Sequence, residues 1–437
     1  MQRTAALLAL LLPVAALAAC DDEVARAPTR AVASSPSRAL CLAAVPRLFG
    51  GGDGSVGALV GERQRAVRAN EGKSDLWILL GRAWVELARN SGDPGFYMHA
   101  DACAQEVLER EPDNALALGL RGLALLNDHK FAEARDLANK MLARDHEDIL
   151  TWGTLSDALL ELGDVEGAEK AAQEMMDRKP CLPSYARASY LEWLRGDEAG
   201  ALEAIRLAYD AGRGQKDHEP AAWVLSEAAN IFWMKGDVDG ALKGYEMALA
   251  EKPDHPAALV GKARCLIATD RAGEAVALLQ QALDKAPLVD TAWWLAKAHE
   301  IQGDTVASER ALARAIALGK SGDKRSLAVL LATLDRDVDL ARKTIDDDNA
   351  HRGGVYADDA LALVLYRQGD LAGARDVSAR AVALHTPDPK LTLHRGVILA
   401  ASGDRAGRAL IDDALARGLR FDPAAKALAA EALAVRP

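Results

Sequence analysis

Apolar residues recur at helical spacing along most of the chain. Around Trp152 they fall at Trp152, Leu155, Leu159, Leu160 and Leu162, which share one face of an α-helix. The pattern stops and restarts at a recurring Gly-Asp pair: Gly163-Asp164, Gly196-Asp197, Gly236-Asp237, Gly303-Asp304, Gly369-Asp370 and Gly403-Asp404. Gly accepts the left-handed backbone that ends one helix, and Asp caps or complements the start of the next. Aligning the flanks adds weaker members at His129-Lys130, Asp270-Arg271 and Arg336-Asp337. First members of successive pairs then lie 34, 33, 40, 34, 33, 33, 33 and 34 residues apart, the 40 being one period plus an insertion within 212–219. Five residues after most of these turns stands a small residue: Ala134, Ala168, Ala201, Ala241, Ala275, Ser308, Ala341 and Ala374, with Arg408 breaking the series. A small side chain there lets two antiparallel helices approach closely. Pro112, Pro180, Pro253 and Pro287 close several units, since Pro readily follows a helix end.

A period of 34 with two helices, an early Trp or Leu, small residues mid-unit and a terminal Pro resembles the tetratricopeptide repeat. The clearest unit is 149–180, and others start near Ala115, Leu182, Ala222, Pro256, Val289, Val355 and Pro389. A unit over 74–112 keeps Trp77, Leu80, Gly81 and Trp84 but lengthens its inter-helix loop at 90–96. A unit near 322–350 is degenerate, with Asp346-Asp347-Asp348-Asn349 in place of its helix end. The resemblance implies an all-α fold, a right-handed α-solenoid of about ten helix-turn-helix repeats over 58–423, with a capping helix at 424–437. No such unit buries its apolar face alone, so each must stack on its neighbours. First helices of this family line a concave groove that binds peptides or protein surfaces.

Taking the family's groove-facing positions, the lining includes Asp157, Glu161, Arg187, Tyr190, Trp193, Trp223, Asn230, Trp233, Arg264, Trp293 and Lys297. The candidate binding residues are Arg187, Tyr190, Trp193, Trp223, Asn230, Trp233 and Arg264. Tyr190, Trp193, Trp223 and Trp233 would cluster across two neighbouring units, and exposed aromatics of this kind anchor partners. The competing reading is that they plug the interior of the superhelix. Trp77, Trp84 and Trp152 sit where the family packs large core residues. The chaperone-binding branch clamps a peptide carboxylate with Lys, Asn and Arg. Here Ser226 replaces the Lys that should precede Asn230, and Arg264 has no second basic residue beside it, so that clamp is not matched.

The N-terminal segment MQRTAALLALLLPVAALAAC has one basic residue, Arg3, and an apolar stretch from Ala5 to Ala19. That is shorter than the roughly 20 residues of a membrane-spanning helix, and it reads as a signal peptide over 1–19. Leu17-Ala18-Ala19-Cys20 resembles the bacterial lipobox. The resemblance implies lipid attachment at Cys20, since several acyl chains hold a protein near-permanently where one does not. Residues 20–57, with Pro28, Pro36 and a run of Gly near 50–54, read as a lipid-anchored flexible tether. Within it Gly52-x-Gly54-x-x-Gly57 mimics a dinucleotide fingerprint, but no strand precedes it.

Composition narrows the function. The 437 residues carry 53 basic and 64 acidic side chains, a net charge of −11, which argues against nucleic-acid binding. Cys41, Cys103, Cys181 and Cys265 form no CxxC and read as small buried residues, although four cysteines in an oxidising compartment allow two disulfides. His99 and Cys103 have the i, i+4 spacing of metal ligands without an evident third. Gly-x-Ser-x-Gly, P-loop and His-Glu-x-x-His motifs are absent. The reading is therefore a non-enzymatic scaffold or adaptor with no cofactor and no metal. It is lipid-anchored to the inner or outer membrane of a bacterial envelope, and takes a protein or peptide partner in its groove. Two alternatives are an accessory subunit of an envelope enzyme, a protease or glycosyl-transfer machinery, and a purely structural spacer whose groove is filled by its own side chains.

Overall fold

A computed structural model describes residues 35–46 and 55–434. Regular structure among them is all helical: 23 α-helices and one short 3-10 helix, Gly418–Phe421. They form two compact units, one ending at Asn127 and the other beginning at Asp128.

The first unit holds α1 (Pro36–Cys41), α2 (Val56–Ala69), α3 (Ser74–Ser91), α4 (Phe96–Leu108) and α5 (Ala115–Asn127). Trp77 and Trp84 of α3 are fully buried, as core residues should be. The tether expected over 20–57 is not free throughout. Ser35 caps α1 by accepting from the Arg38 N–H, and α1 packs on α4. Cys41 and Cys103 are joined in a disulfide, with Cα atoms 5.0 Å apart. Around this link the Trp84 indole donates to the Cys41 carbonyl at 3.0 Å and Gln64 donates to the Ala43 carbonyl at 2.7 Å. Two of the four cysteines are thus cross-linked rather than merely packed. The i, i+4 pair is no metal site either: the Cys103 sulfur is in the disulfide, and His99 stacks on Trp84 with a ring nitrogen 2.7 Å from the Leu40 carbonyl.

The second unit opens with α6 (Phe131–Leu142) and continues as helical hairpins: α7 (Ile149–Glu161) with α8 (Val165–Arg178), α9 (Leu182–Leu194) with α10 (Glu198–Gly212), α11 (Glu219–Lys235) with α12 (Val238–Glu251), and α13 (Pro256–Ala268) with α14 (Ala272–Lys285). Then follow α15 (Val289–Ile301) with α16 (Thr305–Ser321), α17 (Lys324–Thr333) with α18 (Val338–Asn349), α19 (Val355–Arg367) with α20 (Leu371–Ala381), and α21 (Pro389–Ala401) with α22 (Ala406–Ala416), before α23 (Pro423–Ala434) caps the end. Every glycine of the Gly-Asp pairs has positive φ. Asp164, Asp197, Asp237, Asp304 and Asp370 each accept a backbone N–H three residues on, at 2.9 Å. His129 and Asp270 adopt the same left-handed backbone without being glycine. In the degenerate unit the left-handed residues are Asp335 and Asp337, so its turn begins one residue before the expected Arg336. In the last hairpin the buried small residue is Gly407, one position before the exposed Arg408.

Later hairpins return onto earlier ones. The Glu161 carbonyl accepts from the Gly353 N–H at 2.8 Å, the Leu194 carbonyl from the Thr386 hydroxyl at 2.7 Å, and the Gly236 carbonyl from Arg420 at 3.2 Å. The loops after α18, α20 and α22 therefore sit on the turns after α7, α9 and α11. One apolar core runs through residues 229–432. The inner faces of the first helices meet later helices over this stretch, where an open concave groove was expected.

Candidate functional site

Tyr190 and Trp193 are three residues apart on α9 and so share a face. On α11 Trp223, Glu227 and Asn230 share another, at i, i+4 and i+7. These five side chains, with Tyr356 from the first turn of α19, line one cleft of about 450 Å³, mouth included. Trp193 and Asn230 are buried in its walls, whereas Tyr190, Trp223 and Tyr356 are half-buried. The Tyr356 hydroxyl bonds with the Trp193 indole and the Asp388 carboxylate, which ties α9, α19 and the start of α21 together. Burial, with Glu161 and Glu227 nearby, holds the Tyr190 hydroxyl above its ordinary pKa.

Four of the seven residues selected from the sequence thus converge. The other three do not line this cleft. Trp233 is buried edge-on to Trp294, with centroids 6.4 Å apart, and lies 5.9 Å from Phe421. Arg264 is buried too. It donates to Asn230 Oδ1 at 2.6 Å and the Tyr245 hydroxyl at 2.9 Å, with its guanidinium 5.3 Å from the Trp233 ring centre. Trp233 and Arg264 accordingly offer almost no solvent-facing surface: Phe421 of the 3-10 helix packs beside Trp233, and Arg264 is held among Asn230, Tyr245 and Trp233. Arg187 forms a two-bonded ion pair with Asp157, at 2.8 and 2.5 Å, on the neighbouring hairpin. Cys20 lies outside the described residues. No helix among the described residues is long and apolar enough to cross a membrane.

Sequence reasoning missed Glu227 and Tyr356. Glu227 was legible one turn after Trp223. Tyr356 carried no such signal, since it arrives only through the return of the later hairpins.

Profiles of the tetratricopeptide repeat match residues 85–148 and 232–300. The chain contains tetratricopeptide repeats. No curated protein matches its sequence. Among solved structures it resembles human IFIT1 in a dimer with PPP-AAAA, at 15% identity and TM-score 0.46, covering 85% of this chain and 88% of that one. It also resembles yeast Tom70, at 14% identity and TM-score 0.38, covering 85% and 92%. A third is PilW, described as a type IV pilus biogenesis factor, at 14% identity and TM-score 0.41, covering 50% of this chain and 98% of that one. These are likenesses of helical architecture.

Proposed function

We propose that this chain is a non-enzymatic protein-interaction scaffold held at a bacterial envelope membrane by lipid on Cys20. In this reading it receives a peptide segment of its partner in the cleft between α9, α11 and α19. The observation that carries the reading is the convergence of Tyr190, Trp193, Trp223 and Asn230 on one cleft. Half-buried aromatics with a polar rim are the composition of an anchor pocket. The Cys41–Cys103 disulfide supports an oxidising compartment outside the cytoplasm.

A photo-crosslinking residue at Trp223, in the full-length protein in its own membranes, tests the reading. The expected result is a defined protein adduct from position 223 and none from the exposed Lys243 on the outer side of α12. Equal adducts from both positions, or none from position 223, would refute it.

A second reading, the structural spacer, draws on the core that fills the interior over 229–432. It differs from the first in requiring that the cleft bind nothing, so the same crosslinking decides between them.

A further inference from the structure

The hairpin that departs furthest from the repeat, α17 with α18, carries a chain of alternating charges. Arg325, in the first turn of α17, donates to one Asp348 oxygen at 2.9 Å. Arg352, just past the end of α18, donates to the other at 3.5 Å. Arg352 also reaches α7, where it makes two bonds, of 3.0 and 2.8 Å, to one oxygen of the Glu161 carboxylate. Its guanidinium lies 5.6 Å from the ring centre of Phe131 on α6. The side chains of Arg352 and Asp348 are almost fully buried. Asp348 belongs to the run Asp346-Asp347-Asp348-Asn349 that replaces the usual helix end; Asp346 and Asp347 are taken up by exposed pairs with Arg342 and Lys324. Burying charges is costly unless each is paired, and an apolar contact of the same size would hold the hairpin as well. The network therefore needs a reason beyond stability, and its position supplies one. The Gly353 N–H, next to Arg352, donates to the Glu161 carbonyl, and α19 starts directly after Gly354. Tyr356 thus lies in the turn that this loop fixes. Tyr190 and Tyr356 line both the cleft and a neighbouring space whose lining includes Glu161, Arg325, Gly353 and Gly354. Val355 between loop and cleft is buried against Leu194 and Leu391.

We propose that Arg352 is a positioning residue for the cleft: its bonds to Glu161 and Asp348 clamp the 350–354 loop onto α7 and so set Tyr356 against Tyr190 and Trp193. The proposal rests on the peptide-binding reading above and names the residue that places the third wall of that cleft. The other two walls need no such device. α9 and α11 belong to adjacent hairpins, whose stacking sets their mutual placement. α19 arrives only through the return of the coil, and Arg352 is where that return is held by charge. One guanidinium joins three elements, through the ring of Phe131, the carboxylate of Glu161 and the carboxylate of Asp348. The Tyr356 hydroxyl, bonded to the Trp193 indole and Asp388, then completes the wall. Loss of Arg352 leaves Glu161 without its cation and the loop with a single backbone bond to α7.

The test combines hydrogen exchange on the purified full-length protein with crosslinking from position 223 in its own membranes. Arg352→Met removes the charge and keeps an apolar stem beside Phe131. Amide exchange over 355–358 and 189–194 should quicken by at least about tenfold, and the adduct from position 223 should fall severalfold. Arg352→Lys, which keeps the charge and loses the forked geometry, should lie between Arg352→Met and wild type in both readouts. Gly303→Ala is the control: it strains a turn with nothing within 4 Å of the new Cβ, and both readouts should stay at the wild-type level. Thermal melts identify any variant that fails to fold. If Arg352→Met does, Glu161→Gln, which leaves Arg352 paired with Asp348, serves in its place with the same expected direction. Unchanged exchange over 355–358 and 189–194 overturns the proposal. So does faster exchange with an undiminished adduct, or an equal loss of adduct in Gly303→Ala. Absence of any adduct from wild type refutes the peptide reading instead, and exchange alone then decides whether Arg352 places Tyr356.

Discussion

Gly163 and Gly354, far apart in sequence, meet so closely that a Cβ on Gly163 would stand 2.9 Å from the Gly354 backbone nitrogen. Gly163 has φ +88°, and Gly303, at the equivalent turn of a later hairpin, has φ +78° with nothing within 4 Å of a Cβ. The two positions separate local strain from the closure of the coil. Gly303→Ala should cost about 1–2 kcal/mol, the penalty of placing an L-residue in the left-handed region. Gly163→Ala should cost measurably more, because the 350–354 loop must also move. Urea denaturation of both variants checks this. Equal losses would mean that the returning loop adds no stability.

Lys297 and Asp422 form a second closing contact, 2.7 Å apart and almost fully buried. Burial pulls Lys297 below the ordinary lysine range, and the Asp422 carboxylate opposes that pull. Removing one member leaves a buried charge without its partner, at a cost of about 3–5 kcal/mol. Asp422→Asn should therefore destabilise the second unit strongly. The double variant Lys297→Met/Asp422→Leu should recover much of the loss, since a buried ion pair replaced by apolar groups is often neutral. A double-variant cycle in guanidinium measures the coupling, and purely additive losses would contradict it.

The hairpins were legible because each turn states its own chemistry. Gly196 ends α9 and Asp197 caps α10 whatever lies elsewhere in the chain. Tyr190, Trp193, Trp223 and Asn230 were legible for a related reason: they lie on adjacent hairpins, where the repeat itself dictates the spacing. The partners of Trp233 were not. Phe421 reaches it only after the coil has returned, and the period of a repeat carries no information about how many hairpins complete a turn. Cys41 failed differently. Its surroundings are rich in Pro, Ser and Gly, and it is the disulfide to Cys103, with the Trp84 and His99 contacts to the Cys41 and Leu40 carbonyls, that makes that segment a docked helix. Arg408 breaks the series of small residues because the last hairpin is offset by one residue, which moves the close approach to Gly407.

The Cys41–Cys103 link spans 62 residues of chain. Loop-closure entropy of that size corresponds to about 4 kcal/mol, an upper value if the reduced chain keeps some structure. Cys41→Ser/Cys103→Ser, or reduction, should lower the stability of the first unit toward that limit. Hydrogen exchange should show protection lost first in α1 and next at the face of α4 that carries Cys103. Retention of protection in α1 after reduction would mean that packing alone holds it.

Lipid attachment is tested by growth with a labelled fatty acid. Wild-type protein should carry the label and float with membranes, and Cys20→Ala should lose both properties. Label retained in Cys20→Ala would place the modification elsewhere or exclude the lipobox reading.

His255 and His129 give the second unit a pH limit. His255 is buried, with Nδ1 3.3 Å from the Ser226 hydroxyl. Burial, joined by Lys252 and Lys285 and opposed by Asp254, lowers its pKa from 6.5 to about 4. Burial and the Arg352 and Arg325 charges lower His129 to about 4 as well, against Asp348 and Asp128. Between pH 6.5 and about 4 the unfolded chain binds these protons and the folded chain does not, so stability falls as the pH drops through that window. Each histidine should account for about 2–3 kcal/mol of the loss by the bottom of the window. His255→Gln keeps a hydrogen-bonding group near Ser226 and removes the titration. Its stability should therefore start somewhat lower at pH 7 yet decline less steeply toward pH 4. Denaturation midpoints of wild type and variant across that range measure the difference in slope, and parallel curves would show that His255 is already protonated in the fold.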